Sequence, residues 1–428
     1  MKKMLIFTLV TVLLIMGFDS TIYAQPAKSK SQEIESNNFR MALSLGQGVS
    51  DTLKQGYKFK YGNNIARTPK ELQRLYRRIG SNEMFVRINT KRYNDGDVSN
   101  DPEHAELLSL ESGLKVCKIA KELGLKVNPE IMVAYTYMDS FSQQAPNFKD
   151  YPEITQPNKP WSEYNLEEMK DVLYQYGELV AKEVVKSGCE VEFWNIGNEA
   201  NFGFGGVSVG LKTAVNPILE NKTLQDMYTS PSFGAQWLKE NVWNYNGEMM
   251  AALANGIKKV DPDAKFSTHI TTAMADTNFM TSYFKTLAEN GYNVDQVGIS
   301  FYPTSMSHFT DPVNYTKNMI TETYNELKLP IFVAEYAYPS EAITSGPFAD
   351  WDTPIPGYEI SEKDQARFTI DFIKWGRENG VSGIRPWAPD LSIINHWAPM
   401  SLFKMDSDGS TLSAKPILYE LKKYLKNS

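Results

Sequence analysis

The sequence IFVAEYAYPS at residues 331–340 begins with a short apolar run that suits a strand buried on both faces. Such strands are typical of parallel sheets that are covered by helices. Glu335 lies inside the run, where an ionised carboxylate is costly unless it is paired or functional. The stretch therefore predicts an α/β fold, and it marks Glu335 as a candidate functional residue, with a structural salt bridge as the alternative.

Similar apolar runs alternate along the chain with helical patterns in which apolar residues are spaced three and four apart. The eight predicted strands span residues 40–45, 84–89, 126–133, 192–198, 265–270, 296–302, 331–336 and 383–387. The connections from helix to strand are short and contain glycine or proline, whereas those from strand to helix are long. Eight βα units of this kind predict a (β/α)8 TIM barrel with long strand-to-helix loops.

Composition and length are those of a globular protein. The chain has 428 residues, of which 42% are hydrophobic and 22% are charged, which excludes disordered, collagen-like and coiled-coil chains. Length alone suggests two or three domains, but α/β barrels often exceed about 250 residues as one domain. We expect one barrel over residues 39–428, after a flexible polar lead-in at residues 25–38.

The N-terminus has the pattern of an export signal. Two lysines precede an apolar run at residues 4–18, and residues 22–24, Ile-Tyr-Ala, offer a small-residue cleavage site. The run is too short for a membrane span, and there is no cysteine at the cleavage point to carry a lipid. We expect residues 1–24 to be a signal peptide and the protein to be secreted or periplasmic, without membrane insertion.

Charge and motifs restrict the cofactors and partners. A net charge of −7 gives no electrostatic reason to bind nucleic acid. Cys117 and Cys189 lack metal-ligand spacing, and either one disulfide or two free thiols fits them. Residues 203–205, Gly-Phe-Gly, lack the third glycine of a dinucleotide fingerprint, and residues 406–409, Asp-Ser-Asp-Gly, suit a solvated turn better than a calcium loop. We expect a monomer without metal or cofactor.

A second carboxylate follows the fourth predicted strand, in the stretch FWNIGNE at residues 193–199. Strand ends and their loops converge on the mouth of a barrel, so Glu199 is a catalytic candidate, with a capping or salt-bridging Glu as the alternative. Glu199 and Glu335 would then face each other across the mouth. Hydrolysis of a glycosidic bond needs such a pair, one as acid and the other as nucleophile or base.

Other strand ends supply groups that suit a sugar site. Arg87, His269, Tyr302 and Trp387 lie at or near the ends of the second, fifth, sixth and eighth predicted strands, and Trp397 follows in a loop. Each also has an ordinary structural interpretation, such as an internal salt bridge for Arg87. Aromatic faces stack on the C–H faces of sugar rings. The tryptophans predicted in or beside mouth loops are Trp161, Trp194, Trp351, Trp387 and Trp397.

Together these residues resemble the retaining (β/α)8 glycoside hydrolases, and most closely glycoside hydrolase family 53, the arabinogalactan endo-β-1,4-galactanases. The segments that carry the resemblance are MFVRINTKRY (84–93), FWNIGNEANFGF (193–204), NGIKKVDPDAKFSTHI (255–270), VDQVGISFYP (294–303), IFVAEYAYPS (331–340) and SLFKMDSDG (401–409). The resemblance implies Glu199 as acid/base and Glu335 as nucleophile. It also implies that Asn198 hydrogen-bonds the sugar hydroxyl next to the reacting carbon, that Tyr302 orients Glu335, and that Arg87 lowers its pKa.

The functional expectation is a secreted retaining glycoside hydrolase that cleaves a β-linked polysaccharide, in the first place galactan or arabinogalactan. Two stretches depart from the family pattern, namely residues 134–139 and Trp387-Ala388-Pro389, where the family has Trp-Glu-Pro. Two alternatives therefore stay open. One is another β-glycanase of the same clan, and the other is a non-catalytic glycan-binding barrel.

Overall fold

The structure is a computed structural model that describes residues 39–96, 107–216, 231–273, 275–394 and 396–427. The predicted signal peptide at residues 1–24 and the lead-in at residues 25–38 lie outside the described residues. Within these ranges, no helix has the length and apolar character needed to cross a membrane.

Short strands occur throughout the described ranges. In chain order they are β1 (Arg40–Met41), β2 (Lys58–Tyr61), β3 (Asn64–Ala66), β4 (Glu83–Ile88), β5 (Lys126–Ile131), β6 (Glu190–Val191), β7 (Trp194–Ile196), β8 (Gly203–Phe204), β9 (Val207–Ser208), β10 (Phe266–Thr271), β11 (Gln296–Phe301), β12 (Ile331–Tyr336), β13 (Val381–Pro386), β14 (Phe403–Met405) and β15 (Thr411–Ala414). Each of the eight predicted strands coincides with one of these.

Helices separate the strands. They are α1 (Val49–Lys54), α2 (Pro69–Ile79), α3 (Leu110–Leu123), α4 (Leu166–Ser187), α5 (Pro231–Leu238), α6 (Asn244–Lys258), α7 (Thr277–Glu289), α8 (Pro312–Leu327), α9 (Glu362–Glu378) and α10 (Pro416–Asn427), with a π-helical segment at Lys239–Trp243 between α5 and α6. Side chains that accept a backbone N–H begin most of them, as expected for N-caps. These caps are Thr68, Ser109, Asn165, Asp276, Asp311 and Ser361.

The central sheet is parallel and runs in the order β1-β13-β12-β11-β10-β7-β5-β4, with β6 beside β5. Its first and last strands are joined by individual hydrogen bonds instead of a regular ladder. The Asn82 N–H donates to the Met41 carbonyl (3.1 Å), and the Phe85 N–H donates to Ser44 Oγ (2.8 Å). The predicted TIM barrel is thereby confirmed.

Two of the predicted strands are much shorter in the structure, while the others differ from their predicted bounds by two residues at most. The fourth, predicted over residues 192–198, is reduced to β7, because the chain turns sharply there and Glu199 has φ 44° and ψ 50°. The first, predicted over residues 40–45, pairs in a ladder only at β1, because the chain after it turns toward Ser44 and Gly46. The strand ends nevertheless lie at the predicted mouth.

Aromatic rings fill the lower part of the barrel interior. Phe85 of β4 and Phe332 of β12 stack with ring centroids 5.5 Å apart, and Ala42 and Ala334 pack with them. A second, small sheet in the order β14-β15-β2-β3 lies beside the barrel. Residues 406–409 form the turn between β14 and β15, as predicted, and Asp408 accepts the backbone N–H groups that follow it.

Asp390 ties together the loops after the first and eighth barrel strands. Its carboxyl group is fully buried and accepts the Gly46 N–H (3.0 and 3.1 Å) and the Tyr76 hydroxyl (3.2 Å). A Cβ at residue 46 would clash with Asp390 Oδ1, so the close approach requires glycine. Burial raises the pKa of Asp390 to about 7.

This buried carboxyl group should make folding stability depend on pH. The folded-state pKa lies above the unfolded value of about 3.9, so the contribution is complete below about pH 4 and is lost as pH rises through 7. We expect the melting temperature of Asp390→Asn, relative to the wild type, to rise between about pH 4 and pH 7 and to level off above pH 7 in thermal unfolding scans. A difference in melting temperature that is independent of pH would contradict this role.

Candidate active site

Two carboxyl groups face the mouth, each more than nine-tenths buried. Glu335 lies within β12, one residue before its end, while Glu199 follows β7. The left-handed backbone of Glu199 is unusual for a residue with a Cβ and is typical of functional positions. His269 of β10 holds it, because its Nε2 accepts the Glu199 N–H (3.3 Å). Backbone geometry thus fixes where the Glu199 side chain begins.

Glu335 is held in its ionised form. Tyr302 Oη donates to one carboxylate oxygen (2.7 Å), and the Arg87 guanidinium donates to the other. Burial raises the pKa of Glu335, but the Arg87 guanidinium above all, with smaller contributions that include Arg385 and the Tyr302 hydrogen bond, more than offsets it, so the pKa lies below its usual value. A buried carboxylate that stays ionised at neutral pH is suited to be a nucleophile.

Glu199 is held in the opposite protonation state. Burial raises the pKa of Glu199 well above its usual value, and the nearby carboxylates of Asp139 and Glu335 raise it further. Asp139 also hydrogen-bonds the Glu199 carboxyl group. A carboxylic acid that keeps its proton at neutral pH is suited to general acid catalysis. The mouth therefore contains one acid and one carboxylate.

Arg87 lies at the centre of the site. Its Nη2 donates to Asn198 Oδ1 (2.7 Å), its Nη1 donates to Tyr137 Oη (3.2 Å), and its Nε pairs with Glu130 Oε1 (2.7 Å). The guanidinium also lies over the Trp387 ring, 4.1 Å from its centroid. Arg87 therefore serves both the internal salt bridge and the functional carboxylate, as the sequence allowed.

Asn198 and His269 are fully buried, and they hold Arg87 and the Glu199 backbone in place. The Asn198 amide accepts from Arg87 and donates to the Met138 carbonyl (2.7 Å), so the residue before Glu199 is fixed at both ends of its side chain. His269 is fully buried, and burial lowers its pKa, so it is neutral at neutral pH. Its contact with Glu199 runs through the backbone.

Aromatic side chains that follow the sixth, seventh and eighth barrel strands form what we call the aromatic wall. Its members are Tyr302, Phe348, Trp351, Trp387 and Trp397. The Trp387 and Trp397 rings meet edge to face (5.8 Å), Phe348 lies between Trp397 (4.4 Å) and Trp351 (4.7 Å), and Trp351 contacts Tyr302 (5.0 Å). Trp397 is half-buried and offers part of its ring to solvent.

Seven of the eight predicted site residues contact one another directly. These are Arg87, Asn198, Glu199, His269, Tyr302, Glu335 and Trp387, and Trp397 joins them through Trp387. The prediction for Trp194 was wrong. It begins β7 instead of ending it, and its Nε1 donates to Asp261 (2.9 Å) at the opposite end of the barrel.

Sequence reasoning missed other members of the site. Glu130 and Arg385 form a buried ion pair (3.0 Å), and each is a charged residue inside an apolar strand, which is the same signal that identified Glu335. Asp139 and Tyr137 lie in the stretch that departs from the family pattern, where no periodicity marks them.

A neutral and an ionised carboxyl group at the mouth of a (β/α)8 barrel form the arrangement that glycoside hydrolysis needs. The family model described as Glycosyl hydrolase family 53 matches residues 48–401. The chain belongs to that family.

Solved structures share the fold at low sequence identity. The Ignisphaera aggregans GH53 catalytic domain is 18% identical, with a TM-score of 0.64 over 91% of this chain and 96% of that chain. A structure described as one of two fungal β-1,4-galactanases is 15% identical, with a TM-score of 0.62 over 90% of this chain and 99% of that chain. No curated protein matches the chain by sequence.

The Asp139 contact predicts a change in the pH dependence of activity. Asp139→Asn removes a negative charge beside Glu199, so the pKa of Glu199 should fall, and the acid should lose its proton at lower pH. We expect the alkaline limb of the kcat/KM profile on a hydrolysed β-glycan to move down by about one pH unit.

Asp263→Asn, an exposed change at the opposite end of the barrel, is the matched control and should leave the profile unchanged. If the alkaline limb of Asp139→Asn coincides with that of the wild type, Asp139 does not set the pKa of the acid.

Proposed function

We propose that this glycoside hydrolase is a retaining endo-β-1,4-galactanase that acts on galactan or arabinogalactan. The observation that carries the proposal is the pair of buried carboxyl groups, Glu199 and Glu335, at the mouth of a family 53 barrel, with Arg87 and Tyr302 donating to Glu335 alone. Similarity of fold to a fungal β-1,4-galactanase supports the choice of polymer. The polymer itself is the finer part of the proposal.

In the first step, a carboxylate oxygen of Glu335 attacks the anomeric carbon, while Glu199 gives its proton to the departing glycosidic oxygen. The bond to the leaving sugar breaks, and a glycosyl ester forms on Glu335. In the second step, ionised Glu199 takes a proton from water, and the resulting hydroxide displaces Glu335. Two inversions give net retention, which requires carboxyl groups about 5 to 5.5 Å apart.

The other residues prepare these two steps. Arg87 and Tyr302 keep Glu335 ionised. Each of them uses one lone pair of a carboxylate oxygen, so a second lone pair stays available for attack. Asn198 lies next to the acid, where it meets the hydroxyl beside the reacting carbon. Trp387 and Trp397 stack on the sugar rings, which orients the chain for in-line attack.

Another β-linked polymer is the second candidate, because one position of the cleft lacks the family's carboxylate. Ala388 has φ 52° and stands where the family pattern has Glu, directly after Trp387. A methyl group there gives no charged partner to a sugar hydroxyl. The sugar bound next to Trp387 could then differ from galactose.

We further propose that the protein is exported by residues 1–24 and acts outside the cytoplasm as a monomer. The support is the pattern of two lysines, an apolar run and a small-residue site. Intact mass spectrometry of the mature protein should then place its N-terminus at Gln25.

A panel of polymers tests the substrate. We expect new reducing ends from β-1,4-galactan and arabinogalactan at rates at least about tenfold above those from xylan and mannan, because the family pattern is otherwise kept. Products longer than a disaccharide at early times indicate internal cleavage. Faster release from xylan or mannan would replace galactan by the second candidate, and release from none of the four would favour a non-catalytic glycan-binding barrel.

Substitution of the two carboxyl groups tests the mechanism. Glu335→Gln should lower kcat by at least about 10³-fold, because the covalent step is lost, with the melting temperature largely kept. Glu199→Ala should regain turnover of an activated aryl glycoside in azide, with a β-glycosyl azide as product. The azide then attacks the glycosyl ester from the face that water would use.

Glu341→Gln makes the same chemical change at an exposed position after the seventh barrel strand, and it should keep full activity. An α-configured glycosyl azide from Glu199→Ala would instead identify Glu199 as the nucleophile and Glu335 as the acid/base. A product anomer of inverted configuration in the wild type would exclude double displacement.

A further inference from the structure

The chain has two cysteines, and the fold brings them together. Cys117 lies on the buried face of α3, and Cys189 follows Gly188, the residue that ends α4. Although they are far apart in sequence, each thiol shifts the pKa of the other. Their elements also touch, because Lys121, one helical turn after Cys117, reaches Gly188, the residue before Cys189. Both are in the free thiol form in this structure. Whether the two cysteines are free thiols or a disulfide, the two forms that the sequence allowed, therefore depends on their oxidation state.

The two thiols have different surroundings. Cys117 is fully buried, whereas Cys189 is partly exposed. Ser187 Oγ donates to Cys189 Sγ (3.3 Å), and Lys121 lies so close that a Cβ at Gly188 would clash with its Nζ. A hydroxyl and an ammonium group beside a partly exposed sulfur both favour a thiolate.

The acidities follow this difference. The interaction with Cys117, together with Ser187 and Lys121, lowers the pKa of Cys189 to about 7. The interaction with Cys189, together with burial, raises the pKa of Cys117 well above its usual range. Thiols with a pKa near ambient pH are the most effective attacking groups in thiol–disulfide exchange. Cys189 is therefore suited to attack, and Cys117 to resolve.

A surface groove lies beside this pair. It has a volume of about 470 Å³ and lies against α3 and the end of α4. Its lining residues are Leu114, Lys118, Lys121, Glu122 and Ser187. Ser187 contacts Cys189 directly, so the groove lies one residue away from the more exposed sulfur. Its three charged side chains suit a small, zwitterionic molecule better than an apolar one.

We propose that Cys117 and Cys189 form a disulfide by exchange with a low-molecular-weight disulfide. The Cys189 thiolate attacks one sulfur of the small disulfide, whose S–S bond breaks, and one small thiolate leaves. Cys117 then loses its proton, and its sulfur attacks Cys189 Sγ, so the mixed disulfide breaks and the second small thiolate leaves. Two protein thiols are oxidised, and one small disulfide is reduced to two thiols.

The crosslink would join α3 to the end of α4 and enclose β5 with the long loop that follows it. Closing so long a loop restricts the unfolded chain, so the folded state becomes relatively more stable. Activity should not change, because Cys189 precedes the fourth barrel strand while Glu199 follows it, at the opposite end of the barrel. The pair is therefore a stabilising device that acts in an oxidising compartment.

The test uses the purified protein with oxidised glutathione as the probe. Peptide mass spectrometry after alkylation should find a Cys117–Cys189 disulfide, and the melting temperature should rise by about 5 °C. Dithiothreitol should reverse both changes, with kcat/KM constant throughout. Two alkylated cysteines after incubation with oxidised glutathione would overturn the proposal.

Two variants separate the steps. Cys117→Ala keeps the attacking thiol, so glutathione should remain attached at Cys189. Cys189→Ala should neither bind glutathione nor form a crosslink, since Cys117 is buried. A wild type that stops at the glutathione adduct would show that the second exchange does not occur, and would equally overturn the proposal, whatever the variants do.

Discussion

Arg87 brings a permanent positive charge into the barrel, and burying such a charge costs several kcal/mol unless it is paired. Its partners are Glu130 of β5 and Glu335 of β12, while Arg385 of β13 completes a cluster of two cations and two carboxylates. The cluster joins β4 and β5 to β12 and β13. Between these pairs of strands lies β1, whose ladder is only two residues long. The ion pairs therefore strengthen the sheet where its backbone pairing is weakest.

The same cluster separates the two catalytic candidates chemically. Glu335 has both a guanidinium and a phenol as donors, so it remains ionised in spite of its burial. Glu199 instead faces Asp139, and like charges at close range favour the protonated form. One barrel mouth thus contains a neutral carboxylic acid and an ionised carboxylate at one pH. The fold sets this difference by placing the cations on the side of β12.

The predictable part of the site is the part that strand ends determine. Glu335 and Arg87 could be placed because a charge inside an apolar strand is a local signal, and the alternation of strands and helices then locates the mouth. Glu130 and Arg385 carry the same signal, but each is explained only by its pairing with the other. The sequence does not reveal that pairing, because the two residues are 255 positions apart. Asp139 lies in a loop without periodicity, so only the folded chain brings it to Glu199. Trp194 was misplaced for a different reason. It lies near the start of the fourth strand both in the predicted range and in β7, and a residue at the start of a strand lies far from the mouth.

The aromatic wall is attached to the fold differently from the carboxyl groups. Its loops meet at Lys415, a buried cation whose Nζ donates to Ser340 Oγ (2.8 Å) and to the Ala398 carbonyl (2.9 Å). These bonds hold the loop after β12 against the loop after β13, yet they involve no barrel strand. Phe348, Trp351 and Trp397 can therefore change without moving Glu199 or Glu335, whose positions depend on β7 and β12. Tyr302 and Trp387 differ from them, because Tyr302 donates to Glu335 and Trp387 packs on Arg87. It follows that the outer part of the wall is structurally separate from the groups that hold the two carboxyl groups, whereas its inner part belongs to the same network.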